Sequence, residues 1–374
     1  MLPEGNAAPP SSFAGVQPDS KPRSVLEYTV GWICALPKEQ TAARALLDHI
    51  HPDPEPPIPD HDKNTYILGS MGDHNIAITC LPKGKVGTNE AAVAATEMLR
   101  TFSSIRIGFM VGIGGGIPPR VRLGDVVVGT PVGIYPGVVQ WDFGKEEGTG
   151  FKQTGALNNP PSVLLKALTK LETLHDSEGT QIPMHMEILK KKWPSLAKYT
   201  WSESLEDPLC TTSRPDQVSW ATWFLSLLYI FFSWLGGYQY TRQGRSTTSS
   251  SPTLIAKRKP GEVSVHYGLI ASGNKVIKTA ELRENLKKSL GGDLLCVEME
   301  AAGLMNFPCL VVRGICDYAD SRKNDVWQEY AAAIAGAFTK ELLGHIRPSS
   351  VKQESPIGEI LDQRQSPLQK FLIL

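Results

Sequence analysis

Neither sign of charge is in excess in this sequence. The 374 residues include 38 Lys and Arg and 38 Asp and Glu, which gives a formal net charge of +0. A chain without a strong overall field has no general attraction for nucleic acid or for an anionic membrane surface. We therefore expect no nucleic-acid partner.

Cysteine is scarce, and its spacing includes no CxxC pair and no set of metal ligands. The six cysteines mostly lie inside apolar runs: Cys34, Cys80, Cys210, Cys296, Cys309 and Cys316. Thiols in such positions are typical of the core of a protein in a reducing compartment. We expect no disulfide and no metal site, and we expect the protein to be cytoplasmic.

The N-terminal residues lack the charged-then-apolar pattern of a signal peptide. Several prolines among serine and glycine instead predict a disordered leader over residues 1–26. The polar, proline-containing residues 347–374 predict a disordered tail.

The stretch Leu294–Asp320 carries the strongest pattern that the chain does contain. A small-residue run, Ala301–Met305, is compatible with a helix, and Phe307–Val312 is a continuous apolar run of the kind that a buried parallel strand shows. Asp317 and Asp320 follow where that strand should end. Ligand sites of open α/β sheets lie beyond the carboxyl ends of strands, so these carboxylates are candidates for function.

Two further strand-to-loop transitions lie in the N-terminal half. Tyr28–Leu36 predicts a buried strand, and Pro37 then opens a helix that holds Glu39 near its start. The run Phe109–Pro119 predicts a strand that ends in glycines, which let a ligand approach the backbone closely. It is a poor dinucleotide fingerprint, because Pro118-Pro119 prevents a helix from following directly.

These motifs resemble those of the purine nucleoside phosphorylase and methylthioadenosine/adenosylhomocysteine nucleosidase superfamily. The string VEMEAAG followed by VVRGICDYAD is similar to the ribose-binding and base-binding motifs of that superfamily. The overall pattern looks most like the nucleosidase domain of fungal NOD-like receptor proteins. The resemblance implies an α/β fold of three layers, with a central mixed twisted sheet flanked by helices. It covers residues 27–346 and is interrupted by an insertion at residues 202–261.

The resemblance also implies roles for individual residues and requires no cofactor. Glu39 would activate the attacking water, and Asp317 would protonate or hydrogen-bond N7 of the purine. The substrate-binding residues would be Gly114, Gly115 and Gly116 beside the ribose, Val276 and Ile277 at the base, Glu298, Met299 and Glu300 at the sugar, and Arg313 as an orienting group. Asn274 replaces the acid that the family usually has, and Val276 stands where an aromatic residue is common.

Water and phosphate remain alternative nucleophiles at this stage. Phosphorylases of the superfamily carry arginines for phosphate, and Val111 occupies the place of one of them here, which favours hydrolysis. The implied substrate is a purine nucleoside or nucleotide that releases adenine, such as ATP, adenosine or methylthioadenosine, and the relatives suggest a role in fungal defence. The candidates for binding phosphate groups are Lys83, Lys85, Arg120 and Arg122. Two alternatives to the hydrolase remain, a phosphorylase and a nucleotide-binding module that does not turn substrate over. The resemblance also implies a homo-oligomer.

One apolar stretch, Val218–Tyr238, does not fit the family. It carries no charge and is long enough to span a bilayer. If it did span, Glu39 and Glu300 would lie on opposite sides of the membrane, and one α/β domain cannot be assembled that way. We therefore expect no membrane span, and we interpret the stretch as a docking insertion or as a segment translated from an unremoved intron.

Overall fold

The computed structural model describes residues 21–148, 150–154, 159–210, 259, 261–305, 307–323 and 325–362. Chain contacts divide the protein into two units, residues 1–205 with 260–374, and residues 206–259. The sheet and the candidate site both lie in the first unit. The apolar stretch 218–238 falls outside the described residues, and the prediction that it spans no membrane stays untested there.

Ten strands form one mixed sheet in this unit. They are β1 (Val30–Cys34), β2 (His49–Ile50), β3 (Tyr66–Met71), β4 (His74–Cys80), β5 (Ile107–Gly116), β6 (Val126–Gly129), β7 (Val138–Gln140), β10 (Val265–Ser272), β11 (Leu294–Glu298) and β12 (Cys309–Asp317). Two further strands, β8 (Gly144–Glu147) and β9 (Gly150–Gln153), pair only with each other.

The order of the strands in the sheet is β11-β10-β6-β12-β5-β1-β4-β3-β2, with β7 paired to β10. Parallel pairs join β12 to β5, β5 to β1 and β1 to β4, so their carboxyl ends share one edge. The far end of β5 also pairs with β11, which closes β5, β12, β6, β10 and β11 into a ring. This closure brings the glycine loop beside the segment that carries Glu298.

The helices flank this sheet. They are α1 (Pro37–Leu46), α2 (Thr88–Thr101), α3 (Ser162–Glu178), α4 (Ile182–Lys192), α5 (Ala280–Ser289), α6 (Gln328–Gly344) and α7 (Pro348–Gln353). Short 3-10 turns cover Val25–Glu27, Pro194–Tyr199 and Ala301–Leu304. The predicted fold class, a mixed sheet with helices on its faces, is confirmed.

Helix α6 lies against the two central strands. All nine residues of β12 are buried, and most of α6 is buried as well. A Cβ added at Gly314 would collide with the backbone carbonyl of Ala331, so only glycine allows this close approach of helix and strand. The packing fixes where β12 ends, and therefore where Asp317 stands.

The start of the predicted tail differs from the sequence-based expectation. The residues predicted to begin a disordered tail at 347 include the helix α7, in which Val351 is buried, so the expectation is wrong for this part. Apolar side chains at Val351 and Ile357 pack inward and hold this segment on the domain. Residues 363–374, and residues 1–20 of the predicted leader, fall outside the described residues.

No helix in the described ranges is long and apolar enough to cross a membrane.

Candidate active site

A cleft opens where the carboxyl ends of β1, β5 and β12 meet the loops after β10 and β11. Most of the predicted site residues line it: Glu39, Gly114, Gly115, Val276, Ile277, Glu298, Met299, Glu300 and Asp317. Segments that are far apart in sequence therefore meet in one place, as the motifs predicted.

The other predicted residues do not line the cleft. Gly116 lies in the pairing of β5 with β11, and Arg313 is buried beneath the cleft. The four candidates for binding phosphate groups also lie off the cleft wall. Three of these cations have carboxylate partners at 3.8 Å: Lys85 with Glu90, Arg120 with Asp293, and Arg122 with Glu262.

Glu39 is held by the backbone at the junction of β1 and α1. Pro37 starts the helix, which puts Glu39 at its third position, where the side chain reaches back to the exposed N–H groups of the first turn. The carboxylate accepts hydrogen bonds from the N–H groups of Ala35 at 2.7 Å, Leu36 at 2.9 Å and Ile113 at 2.8 Å. Three fixed donors leave this carboxyl group one orientation at the cleft wall.

Arg313 is a fully buried cation under the residues predicted to bind the sugar, with 0 % of its surface exposed. Its guanidinium donates to the carboxylate of Glu298 and, at 3.5 Å, to that of Glu300. Glu298 also accepts hydrogen bonds from the N–H groups of Glu300 and Ala301, both at 3.1 Å. Glu298 therefore anchors the 3-10 turn, and Glu300 extends from that anchor to the cleft.

Burial at this end of the cleft raises the pKa of two carboxyl groups, those of Glu39 and Glu300. Burial raises the pKa of Glu39 above its ordinary value, although Arg313 and the backbone donors oppose the change. Burial likewise raises the pKa of Glu300 to about 7, with Arg313 opposing and Glu298 and Glu39 adding to the rise. One guanidinium thus faces three carboxyl groups, and it does not fully compensate for their removal from water.

Gly112 makes room for this group of charges. It pairs in register with Arg313 on the neighbouring strand, and a Cβ there would collide with both Glu39 and Arg313. The glycines predicted to line the site, Gly114, Gly115 and Gly116, lie just after Gly112 in the chain. Only the register of β5 with β12, which the sequence alone does not give, shows that Gly112 faces Arg313.

Asp317 lies at the other end of the cleft as the last residue of β12, with 5 % of its surface exposed. One carboxylate oxygen accepts a hydrogen bond from the N–H of Ala319 at 2.8 Å, and the other lies 3.1 Å from Nζ of Lys323. Ala319 takes a left-handed conformation with φ of 49°, which turns the chain back over Asp317. Asp320, the second carboxylate of this motif, instead pairs with Arg322 at 2.7 Å and is not part of the cleft wall.

Trp141, Lys275 and Lys323 are among the lining residues that were not predicted from the sequence. Trp141 follows β7 and packs against the apolar cluster that includes Ile277. It supplies an aromatic side chain to the cleft, whereas Val276 stands where the family often has one. Nothing in the local sequence pattern around Trp141 indicated this position.

Asn274, which stands where the family usually has an acidic residue, makes hydrogen bonds with two other loops. Its side-chain oxygen accepts hydrogen bonds from the N–H and the hydroxyl of Thr88, both at 3.0 Å, at the start of α2. Its own N–H donates to Asp142 at 2.7 Å. Asn274 therefore joins the loop before α2 to the loop after β10 at the rim of the cleft.

Comparisons with known proteins agree with this fold. Residues 29–185 match the model of the phosphorylase superfamily, as the motifs predicted. A nucleotide-binding leucine-rich repeat (NLR)-like protein from Hyaloscypha variabilis is 42% identical over 334 residues, which is 87% of this chain but 30% of that protein. The chain thus spans less than a third of the length of this relative.

A second relative matches a shorter region. The ATP nucleosidase Cap17 from Escherichia coli is 35% identical over 89 residues, or 22% of this chain and 17% of that protein. Among solved structures, the 5'-methylthioadenosine/S-adenosylhomocysteine nucleosidase from Neisseria meningitidis, in complex with methylthio-immucillin-A, has a TM-score of 0.50 at 16% identity. The match covers 84% of this chain and 98% of that structure, which shows a shared fold.

The raised pKa of Glu300 predicts a pH-dependent effect of Glu300→Gln on stability. An unfolded Glu titrates near 4.5 and the folded one near 7, so Glu300 weakens the native state increasingly as pH rises through this interval. Gln lacks the charge, and we expect the variant to gain up to about 3 kcal/mol over the wild type at pH 8 and almost nothing at pH 4.5. The measurement is the free energy of unfolding in denaturant at both pH values.

The matched control is Glu298→Gln, which weakens the hydrogen bond with the buried guanidinium of Arg313. This variant should be less stable than the wild type at both pH values, because an incompletely paired buried charge is left behind. A change in stability for Glu300→Gln that is the same at pH 4.5 and pH 8 would contradict the assignment.

Proposed function

We propose that the protein hydrolyses the N-ribosidic bond of a purine nucleoside or nucleotide and releases adenine. The observation that carries the proposal is the arrangement of carboxyl groups at opposite ends of one cleft. Glu39 and Glu300 stand at one end over the buried Arg313, and Asp317 stands at the other end. Cleavage of this bond needs a base for water, a group that holds the sugar and an acid for the leaving purine.

The sugar end of the cleft stabilises the developing positive charge. As the bond between C1′ and N9 breaks, its electron pair leaves with the purine and the ribose becomes electron-poor. Glu300 accepts hydrogen bonds from the ribose hydroxyls, and Met299 beside it packs on the sugar. Glu39 takes one proton from a water molecule, whose oxygen forms the new bond to C1′. Asp317 delivers a proton to N7, so the base leaves as neutral adenine.

The charges beside Glu39 favour water over phosphate as the nucleophile. Three carboxyl groups surround this end, and the one cation among them, Arg313, is buried and already paired with Glu298 and Glu300. A phosphate dianion would be repelled there, whereas a neutral water is not. Burial raises the pKa of Glu39, which makes its carboxylate a stronger base for that water.

Lys275 is the best-placed contact for a phosphorylated substrate. It lines the cleft, is exposed, and has neither an ion-pair nor a hydrogen-bond partner in the described part of the chain. Three of the cations proposed from sequence are instead paired with carboxylates off the cleft wall. Together with the likeness to an ATP nucleosidase, this free ammonium supports ATP as the substrate. The likeness to an NLR-like protein supports a role in fungal defence.

The reaction predicts adenine release without phosphate. We expect the wild type to release adenine from ATP, and Glu39→Gln and Asp317→Asn to lower kcat at least about 100-fold, because each removes one proton-transfer step. Adenosine and methylthioadenosine are assayed in parallel, with and without phosphate, by chromatography of the products. Arg120→Ala is the control, since this residue lies off the cleft wall.

Other results of the same assay would overturn the proposal. Release that requires added phosphate would establish a phosphorylase. Binding of adenine compounds by the folded protein with no release would leave a nucleotide-binding module.

The role of Lys275 predicts a substrate-dependent effect of Lys275→Ala. Loss of one charge-assisted contact with phosphate should raise KM for ATP about 10-fold, while KM for adenosine, which has no phosphate, stays nearly unchanged. Steady-state kinetics on both substrates measure the difference, with Lys166→Ala, an exposed lysine on α3, as the matched control. Equal effects on ATP and adenosine, or no turnover of ATP at all, would contradict the phosphate contact.

A further inference from the structure

Lys323 occupies a position that the reaction scheme above does not use. It lies in the loop after β12, lines the cleft, and places Nζ 3.1 Å from a carboxylate oxygen of Asp317. Its side chain is 34 % exposed, so the ammonium touches both the buried carboxylate and solvent. Lys275, the other cation on the described cleft wall, has no such partner.

The contacts of Asp317 suit a carboxylate and not a carboxylic acid. One oxygen accepts from the backbone N–H of Ala319, and the other accepts from the ammonium of Lys323. A carboxylate with donors on both oxygens has no proton of its own to give. A leaving purine nevertheless needs a proton, because the departing base carries the electron pair of the broken bond. The available proton at this end therefore resides on Lys323.

We propose that Lys323 supplies the proton that Asp317 passes to the leaving purine, an inference that rests on the proposed hydrolase function. As the bond between C1′ and N9 breaks, the ammonium of Lys323 gives a proton to the carboxylate of Asp317, and Asp317 passes that proton to N7. Neutral adenine departs, and the amine of Lys323 regains a proton from solvent. Glu39 returns to solvent the proton it took from water, so protons balance over one turnover.

The surroundings of Lys323 keep it charged before the reaction. Burial alone would favour the neutral amine, but the Asp317 carboxylate outweighs it and raises the pKa of Lys323, with Asp325 and Cys316 as further titratable neighbours. Lys323 is therefore protonated over the neutral pH range. Because its side chain is partly exposed, solvent can return a proton to the amine after each turnover.

A purely structural ion pair is the competing explanation, and the leaving group distinguishes the two. Adenine needs a proton to depart, whereas 4-nitrophenolate departs without one. If Lys323 supplies the proton that the leaving group needs, replacement of Lys323 slows the release of adenine but does not slow the hydrolysis of 4-nitrophenyl riboside. If the lysine only holds the loop, both reactions should slow together.

The experiment compares Lys323→Met and Lys323→Arg with the wild type on adenosine and on 4-nitrophenyl riboside. Arginine keeps the positive charge and the ion pair but does not release a proton near neutral pH. We expect both variants to lose at least about 100-fold in kcat for adenine release and to change less than about 3-fold in kcat for nitrophenolate release. Lys166→Met is the matched control on an exposed lysine outside the cleft.

The pH profile gives a second readout that needs only adenosine. Wild-type kcat should fall at alkaline pH, where Lys323 loses its proton, and Lys323→Arg should lack this fall. Adenine release by Lys323→Arg at the wild-type rate would overturn the proposal, as would parallel losses on both substrates. A wild type that is inactive on every substrate would instead contradict the proposed hydrolase function itself.

Discussion

The buried guanidinium of Arg313 is the constraint on which the site depends. A cation with 0 % exposure needs carboxylates around it, and Glu298 and Glu300 at the end of β11 and Glu39 in α1 converge on it. Gly112 on the neighbouring strand leaves the space that this convergence requires. A buried charge cluster of this kind adds little to stability in general, but it fixes positions closely. Here it sets the distance between the group that would activate water and the group that would hold the sugar.

One end of the cleft holds groups that can accept a proton, and the other end holds a group that can donate one. At the end that holds Glu39 and Glu300, burial raises the pKa of Glu39 and brings that of Glu300 to about 7, so both groups bind a proton more readily than an exposed Glu does. At the base end, Asp317 is paired with Lys323 and the proton lies on the lysine. Separation of a proton acceptor from a proton donor across one substrate is what cleavage of a glycosidic bond demands. Trp141 and the loop around Asn274 close the remaining wall.

Much of the fold and the centre of the site followed from sequence, because the signals are local. The strand that precedes Glu39 is a continuous apolar run, and the strand that ends at Asp317 begins with one. Lys275, Lys323 and Trp141 were missed because their positions depend on how loops fold across the cleft, and no short motif records that. Exposed cations such as Arg120 were favoured for phosphate on charge alone, whereas its partner Asp293 lies far away in sequence.

The most direct test of the site is a crystal structure of Glu39→Gln, which should bind substrate without turnover, in complex with adenosine. The ribose hydroxyls should lie within hydrogen-bond distance of Glu300, N7 of the base should face Asp317, and C1′ should face residue 39. Adenosine bound in the reverse orientation, or outside the cleft, would contradict the assignment of the two ends.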